Sequence, residues 1–245
     1  MDNGLWITWY DLPTEGRDEY LSWLHNSYMP DMLKRADFLW AAHYKTVKEP
    51  FPPHVRHTDD KSVPTGNDYI LIFGARTSSA FYQGEYANNA PGGLHADRSA
   101  EDRKMMAMRK SERVCIMAEA GRIDGPMAEK YKNEKTLGPF IQLGSYNCDW
   151  RKEDEMQAWY SQVRLPAIAT TPGGGIRVRK LVSASGWAKH GILYEFESLE
   201  AKHKYFAAHK NRPDMKPWLE WVAKSLIHAP GSASIANRIW PPVSA

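Results

Sequence analysis

His43, Arg177 and Arg179 are the residues of this chain whose types, taken together, could do chemistry. Two guanidinium groups can clamp a carboxylate or an enolate, and an imidazole beside them can move a proton near neutral pH. Their placement follows from two features of the sequence. In the stretch 175–183, Ile176 and Val178 alternate with Arg177 and Arg179, so a strand there turns its apolar residues to one face and its arginines to the other. The chain also repeats itself. Y-L-S-W-L-H-N-S-Y-M-P at 20–30 and M-Q-A-W-Y-S-Q-V-R-L-P at 156–166 share the spacing Trp23 to Pro30 and Trp159 to Pro166, at an offset of 136. The same offset pairs Tyr10 with Tyr146 and sets His43 opposite Arg179. With the apolar faces turned to helices, the basic residues face a central space, and unpaired basic groups there point to a ligand cavity. Glu195 either completes that binding set or is the arginines' structural partner.

The elements that must position these residues also come in duplicate. An offset of 136 is too long for a solenoid repeat and fits two fused copies of one small α+β unit. In the first copy, 4–10, 37–46, 68–75 and 113–119 carry strand patterns, and helices are expected over 17–28 (ending or kinking at Pro30), 77–86 and 99–111. In the second, strands are expected at 139–147, 175–183, 190–197 and 234–240, and helices over 152–164, 198–209 and 215–227. Each copy therefore reads βαββαβ with an extra helix, a ferredoxin-like unit, with boundaries at 1–120 and 139–245 and a link over 121–138. Two four-stranded sheets, each covered by helices on one face, bury their other faces against each other as a pseudo-dimeric, eight-stranded α/β barrel with one shared core.

Composition narrows the function classes. With 42% hydrophobic residues in 245, the chain can bury a real core. A net charge of +3 without a block of like charges does not suit nucleic acid. Ten Trp and twelve Tyr serve either packing between layers or the wall of a pocket for a flat organic ligand. Cys115 and Cys148 have no metal-like spacing, there is no signal-peptide pattern, and no apolar run reaches membrane length; the expectation is a cytoplasmic protein. His54-Val-Arg-His57 lies in a proline-rich loop without the helical spacing of a zinc pair, so neither metal nor other cofactor is expected. Pro172-Gly-Gly-Gly175 lacks the Lys-Ser/Thr end of a phosphate loop.

The two W-x-x-x-x-x-x-P segments at helix ends resemble the dimeric α/β barrel superfamily, most closely its EthD-type members. The segments H-Y-K at 43–45 and L-Y-E-F-E-S at 193–198 resemble strands of the same family. The resemblance spans nearly the whole chain as a tandem fusion. It implies the fold, and a range of activities from isomerases and cyclases to cofactor-free oxygenases and haem-dependent enzymes. Where that family usually has histidine at the helix end, this chain has Tyr28 and Arg164, residues suited to donating to an oxyanion and to holding a substrate charge. Tyr28 joins His43 as a catalytic candidate. Arg164, Tyr10, Tyr146 and His95, the last in a glycine-rich loop, join the arginines as substrate contacts, and His25 is expected at the surface or bonded to a loop.

The expected activity is cofactor-independent proton transfer, by an isomerase or a lyase, on a small anionic aromatic or ring-cleavage-derived compound. The rivals are a cofactor-free or haem-assisted oxidoreductase and a non-catalytic ligand-binding protein. The expected partner is a small molecule, not nucleic acid or a membrane, with room for a homodimer.

Overall fold

A computed structural model describes residues 2–50, 55–82, 98–173 and 175–243 of the chain. In chain order the first half contains β1 (Gly4–Asp11), α1 (Arg17–Trp23), α2 (Met29–Met32), β2 (Phe38–Thr46), β3 (Tyr69–Ala75), α3 (Ala100–Met106) and β4 (Lys110–Asp124). The second contains β5 (Phe140–Cys148), α4 (Glu153–Trp159), α5 (Ala167–Thr170), β6 (Gly175–Ser185), β7 (His190–Phe196), α6 (Leu199–Lys210), α7 (Lys216–Ser225), β8 (Leu226–His228) and β9 (Ser234–Trp240). The strands run β4-β1-β3-β2 in the first half and β9-β5-β7-β6 in the second, all antiparallel. Pairing of β2 with β9 and of β4 with β6 closes them into an eight-stranded barrel, and β8, which the sequence pattern missed, pairs with β5 at Tyr146–Cys148. Closure leaves no unpaired sheet edge in the ring.

Strands in this ring are buried on both faces, which is why β1 (GLWITWYD) is buried from Gly4 to Tyr10 instead of alternating with polar residues. Alternation sorts their side chains into three cores. Leu5, Ile7, Trp9, Trp40, Tyr44, Leu143, Leu181 and Leu193 fill the barrel itself. Trp6, Tyr10, Leu71 and Phe73 meet Tyr20, Leu24 and Met29 under the first half's helices, and Tyr146, Val178, Ile192 and Tyr194 meet Trp159, Tyr160 and Tyr205 under the second's. Val178 thus lies under helices as its alternation implied. Ile176 sits at a bulge between Gly175 and Arg177 and reaches Gly138 instead. Trp40 lies so flat on β3 that a Cβ on Gly74 would come within 2.1 Å of its ring, so only glycine fits there.

The repeated Trp-to-Pro motif is a helical irregularity. In both halves the α-helix ends at the Trp, the next five residues (Leu24–Tyr28 and Tyr160–Arg164) form a π-helical turn, and the helix runs on past the Pro. The i→i+5 bond from Leu165 N–H to the Tyr160 carbonyl, 2.8 Å, marks that turn in the second half. Proline donates no backbone hydrogen bond and its ring crowds the carbonyl four residues back; the wider turn accommodates both without ending the helix. Tyr28 and Arg164 are the last residues of these turns, held toward the sheet.

Candidate functional site

The residues singled out by sequence fall in three places. Arg177 and Arg179 do face the barrel interior, but they are not free to hold a ligand. Arg179, 2% exposed, bonds Asp2 at 2.6 Å and Glu195 at 3.3 Å and lies 3.6 Å from Glu119; Arg177 pairs with Asp124 at 2.7 Å and lies 3.9 Å from Glu195. Glu195 also accepts from the Gly138 N–H at 2.8 Å. Burial works to raise the Asp2 carboxyl, yet Arg179 and Arg122 bring it well below the usual range. Basic groups at this end of the barrel are therefore neutralised by acids, and the apolar residues described above fill the space beside them. The expected central cavity gives way to a buried ion cluster that ties the N-terminus, β4, β6 and β7 together.

His43 is not among them. It faces the helices of the first half, fully buried, where its Nε2 shares a hydrogen bond of 2.8 Å with the Tyr10 hydroxyl and its Nδ1 one of 2.8 Å with His25 Nε2. The offset of 136 holds for β1 and β5, where Thr8 and Gly144 take the same place in the register, but not for the next strands. His43 pairs with Leu71, and the residue paired with the equivalent Ile192 is Lys180, an offset of 137 (43 to 180). One residue of slip reverses the face of every side chain on a strand. Burial, then His25 and Arg109, push the His43 imidazole well below its usual range, and burial does the same more mildly to His25. Tyr28 lies in the same half, buried against Trp23, with Arg98 over its ring and its phenol pushed up to about 12 by burial. His95 and His54 lie outside the described residues. His57 bonds the Ser232 carbonyl at 2.5 Å.

Arg164 and Tyr146 belong to the third place, a cavity of about 490 Å³ between the second sheet and its helices. Its floor is Gln142, Gly144 and Tyr146 of β5 with Ile192 and Tyr194 of β7. Its roof is Trp159, Tyr160 and Arg164 from the α4 end, with Lys202, Phe206 and His209 from α6. Glu49 and Val55, from the chain that follows β2, reach across from the first half to its mouth. There Glu49 bonds Lys202 at 2.6 Å and His203 at 2.5 Å.

Arg164 sets the electrostatics. Its guanidinium lies 5.5 Å from the Tyr194 ring, 5.6 Å from Trp159 and 5.9 Å from Phe206, and donates from Nη1 to His209 Nε2 at 2.7 Å. Among the described residues it has no carboxylate within salt-bridge distance. Because an arginine only donates, His209 accepts at Nε2 and carries its proton at Nδ1, an N–H with no acceptor among the described residues. Burial and the Arg164 charge drive the His209 imidazole down to about 3, so it stays neutral. Burial pushes the Tyr160 phenol up to about 12 and Tyr146 well above its usual range, so both stay protonated. The cavity thus presents a half-buried cation, protonated phenols and aromatic walls.

Tyr160, Tyr194, His209, Lys202 and Gln142 were not anticipated. The signal was present in Lys202, Phe206 and His209 at i, i+4 and i+7 of a helix, but nothing in sequence says what that face covers.

No protein-family model and no curated protein sequence matches the chain. Solved structures do. A presumed monooxygenase from Lactobacillus acidophilus superposes with a TM-score of 0.55 at 12% identity, over 97% of this chain and 94% of that one. An anthrone oxidase-like protein gives 0.53 at 10% identity over 97% and 91%, and a presumed chlorite dismutase 0.53 at 10% over 98% and 95%. The chain has the fold of a dimeric α/β barrel, closed within one polypeptide. At such identities the likeness carries the barrel and not its chemistry.

Among the residues that line this cavity, neither Arg164 nor His209 is suited to hold the iron of a haem. At the helix position where the resembling family has histidine stands Arg164, whose guanidinium has no lone pair for iron. His209 has its one acceptor nitrogen occupied by Arg164 and turns an N–H the other way.

Proposed function

We propose that this barrel is a cofactor-independent enzyme that binds a planar, anionic aromatic compound in the cavity of its second half and stabilises the anion formed when the compound loses a proton. The observation that carries the reading is Arg164, a half-buried cation without a carboxylate partner among the described residues, in an aromatic-walled cavity. An unpaired charge in such surroundings is costly, and an anionic ligand removes the cost. Protonated Tyr160 and Tyr146 are suited to donate to a developing enolate or phenolate oxygen. Two repeats, taken as 1–120 and 139–245, would then divide the work, one holding the site and the other closing its mouth through Glu49.

The reaction read from this set is proton transfer, as in an isomerase or a lyase, with the Glu49 carboxylate at the cavity mouth as the group that accepts the substrate's proton. A second reading is favoured by the presumed monooxygenase and the anthrone oxidase-like protein among the structural neighbours. A resonance-stabilised carbanion can pass its electrons to dioxygen, turning a ring CH₂ into a carbonyl with release of water. One experiment separates the two. Candidate aromatic acids and phenols with an acidic C–H are incubated in D₂O with and without oxygen, and C–H exchange and oxygen uptake are followed. Exchange without oxygen, reduced by tenfold or more in Arg164→Met, supports proton transfer. Exchange accompanied by stoichiometric oxygen uptake supports the oxygenase. Wild-type rates in Arg164→Met would remove the site from consideration.

A further inference from the structure

We propose that the ligand lies lengthwise along α6, with an acid group on Arg164 beside His209 at one end and a hydroxyl or carbonyl group on the Lys202–Glu49 pair at the other. The ligand class is then a planar aromatic carboxylate bearing a neutral hydrogen-bonding group across the ring system from the acid. This rests on the reading of Arg164 as the anion site.

The geometry comes from α6. Lys202, Phe206 and His209 stand at i, i+4 and i+7, so all three line one face of the helix and all three border the cavity. Seven residues of α-helix rise about 10 Å, roughly the length of two fused aromatic rings with their substituents. Arg164 is fixed at the C-terminal end of this face by its bond to His209 and its place near Phe206. Lys202 is one turn before Phe206, where it meets Glu49. Between the two ends the floor is Ile192 and Tyr194, which offer apolar surface to a flat ring.

The two ends differ in charge, and this decides which group goes where. Arg164 can only donate and, among the described residues, has no acid beside it, so it takes the carboxylate. Lys202 and Glu49, with side chains 11% and 20% exposed, are neutral as a pair. The ammonium keeps spare N–H groups and the carboxylate keeps spare lone pairs, so the pair can both donate to and accept from a hydroxyl. A second acid there would face the Glu49 carboxylate, which argues against a dicarboxylate.

Calorimetry with four ligands and the full chain tests the arrangement: 6-hydroxy-2-naphthoate, 2-naphthoate, 2-naphthol and 2-naphthamide. Wild-type protein should bind the two acids about tenfold or more tighter than the amide, and Arg164→Met should abolish that gain. The hydroxyl of 6-hydroxy-2-naphthoate should add about fivefold over 2-naphthoate in wild type, and nothing in Glu49→Ala or Lys202→Met. No hydroxyl gain in wild type, or a gain that survives both mouth variants, overturns the lengthwise placement while Arg164 stands. Acids that bind no better than the amide overturn the anion site itself, and this inference with it. Glu49 lies at the mouth, outside the packed core, so the Glu49→Ala arm does not depend on refolding a disrupted interior.

Discussion

The two halves share a topology and a helix motif, yet among the described residues Trp6 fills a place in one that borders a cavity in the other. Trp6 and Gln142 occupy the same place, each paired across the sheet with an aromatic residue, Phe73 in one half and Tyr194 in the other. In the first half the Trp6 indole packs against Phe73 and Phe81 under the helices. In the second, the smaller Gln142 leaves that volume open, and Gly144 stands where the first half has Thr8. The π-helical turns differ in the same sense. Tyr28 ends one and packs against Trp23; Arg164 ends the other and brings a charge to the cavity. The comparison teaches that the two repeats kept one frame, and that three residues differing at equivalent places separate the packing around Trp6 from the cavity beside Gln142.

The largest effect should come from the region the halves share. The comparison requires that the barrel interior be closed and that Arg179 be structural. Arg179→Ala leaves Glu195 buried without its guanidinium, and should lower unfolding free energy by about 3–5 kcal/mol in a denaturant titration. A variant of wild-type stability that loses only activity would return the site to the barrel centre. Next, Gln142→Trp should give the second half the filler of the first. Ligand affinity should fall about a hundredfold or more while the melting temperature changes little, because the new ring enters space that is already open. Unchanged affinity would show that the ligand binds elsewhere.

A smaller effect concerns acid. His209 has a folded pKa of about 3 against 6.5 for the free side chain, so the unfolded chain binds the proton more readily. The stability tied to neutral His209 is whole above pH 6.5 and is lost progressively as pH falls toward 3. At about 1.4 kcal/mol per pH unit, His209 alone should cost about 2 kcal/mol between pH 6.5 and pH 5. His43 and His25 act in the same direction. Chemical denaturation across this range should show the slope, and His209→Gln should flatten it; an unchanged slope would place the sensitivity in the first half. The smallest effect is expected at His43 itself. His43→Gln removes a buried imidazole from the half opposite the Arg164 cavity, and ligand affinity should stay within about twofold of wild type. A larger loss would mean that the two halves are coupled.

How much of this was legible in advance depended on what each inference needed. The barrel needed only periodicity and the repeat. Burial on both faces gave β1, β3 and β7 their apolar runs, and Trp23 to Pro30 recurring as Trp159 to Pro166 marked both helix ends. Arg164 and Tyr146 were legible because motif and offset are intact around them. His43 was misplaced because the connection between the first helix and the second strand differs by one residue between copies, and a strand has no tolerance for such a slip.

Sequence by itself determined the α+β class, the duplication, the order of the eight barrel strands and the presence of an arginine at the end of the second repeat's first helix, since local pattern and covalent order are sufficient for these. Only the tertiary structure decided that Arg177 and Arg179 meet Glu195 and Asp2 while Arg164 meets no acid among the described residues. It also decided that Lys202, Phe206 and His209 cover a hollow instead of a core. Both depend on which distant side chains come to share a volume, and that volume is set by register across the closed barrel and by the sizes of residues such as Gln142 and Gly144 on the opposite wall.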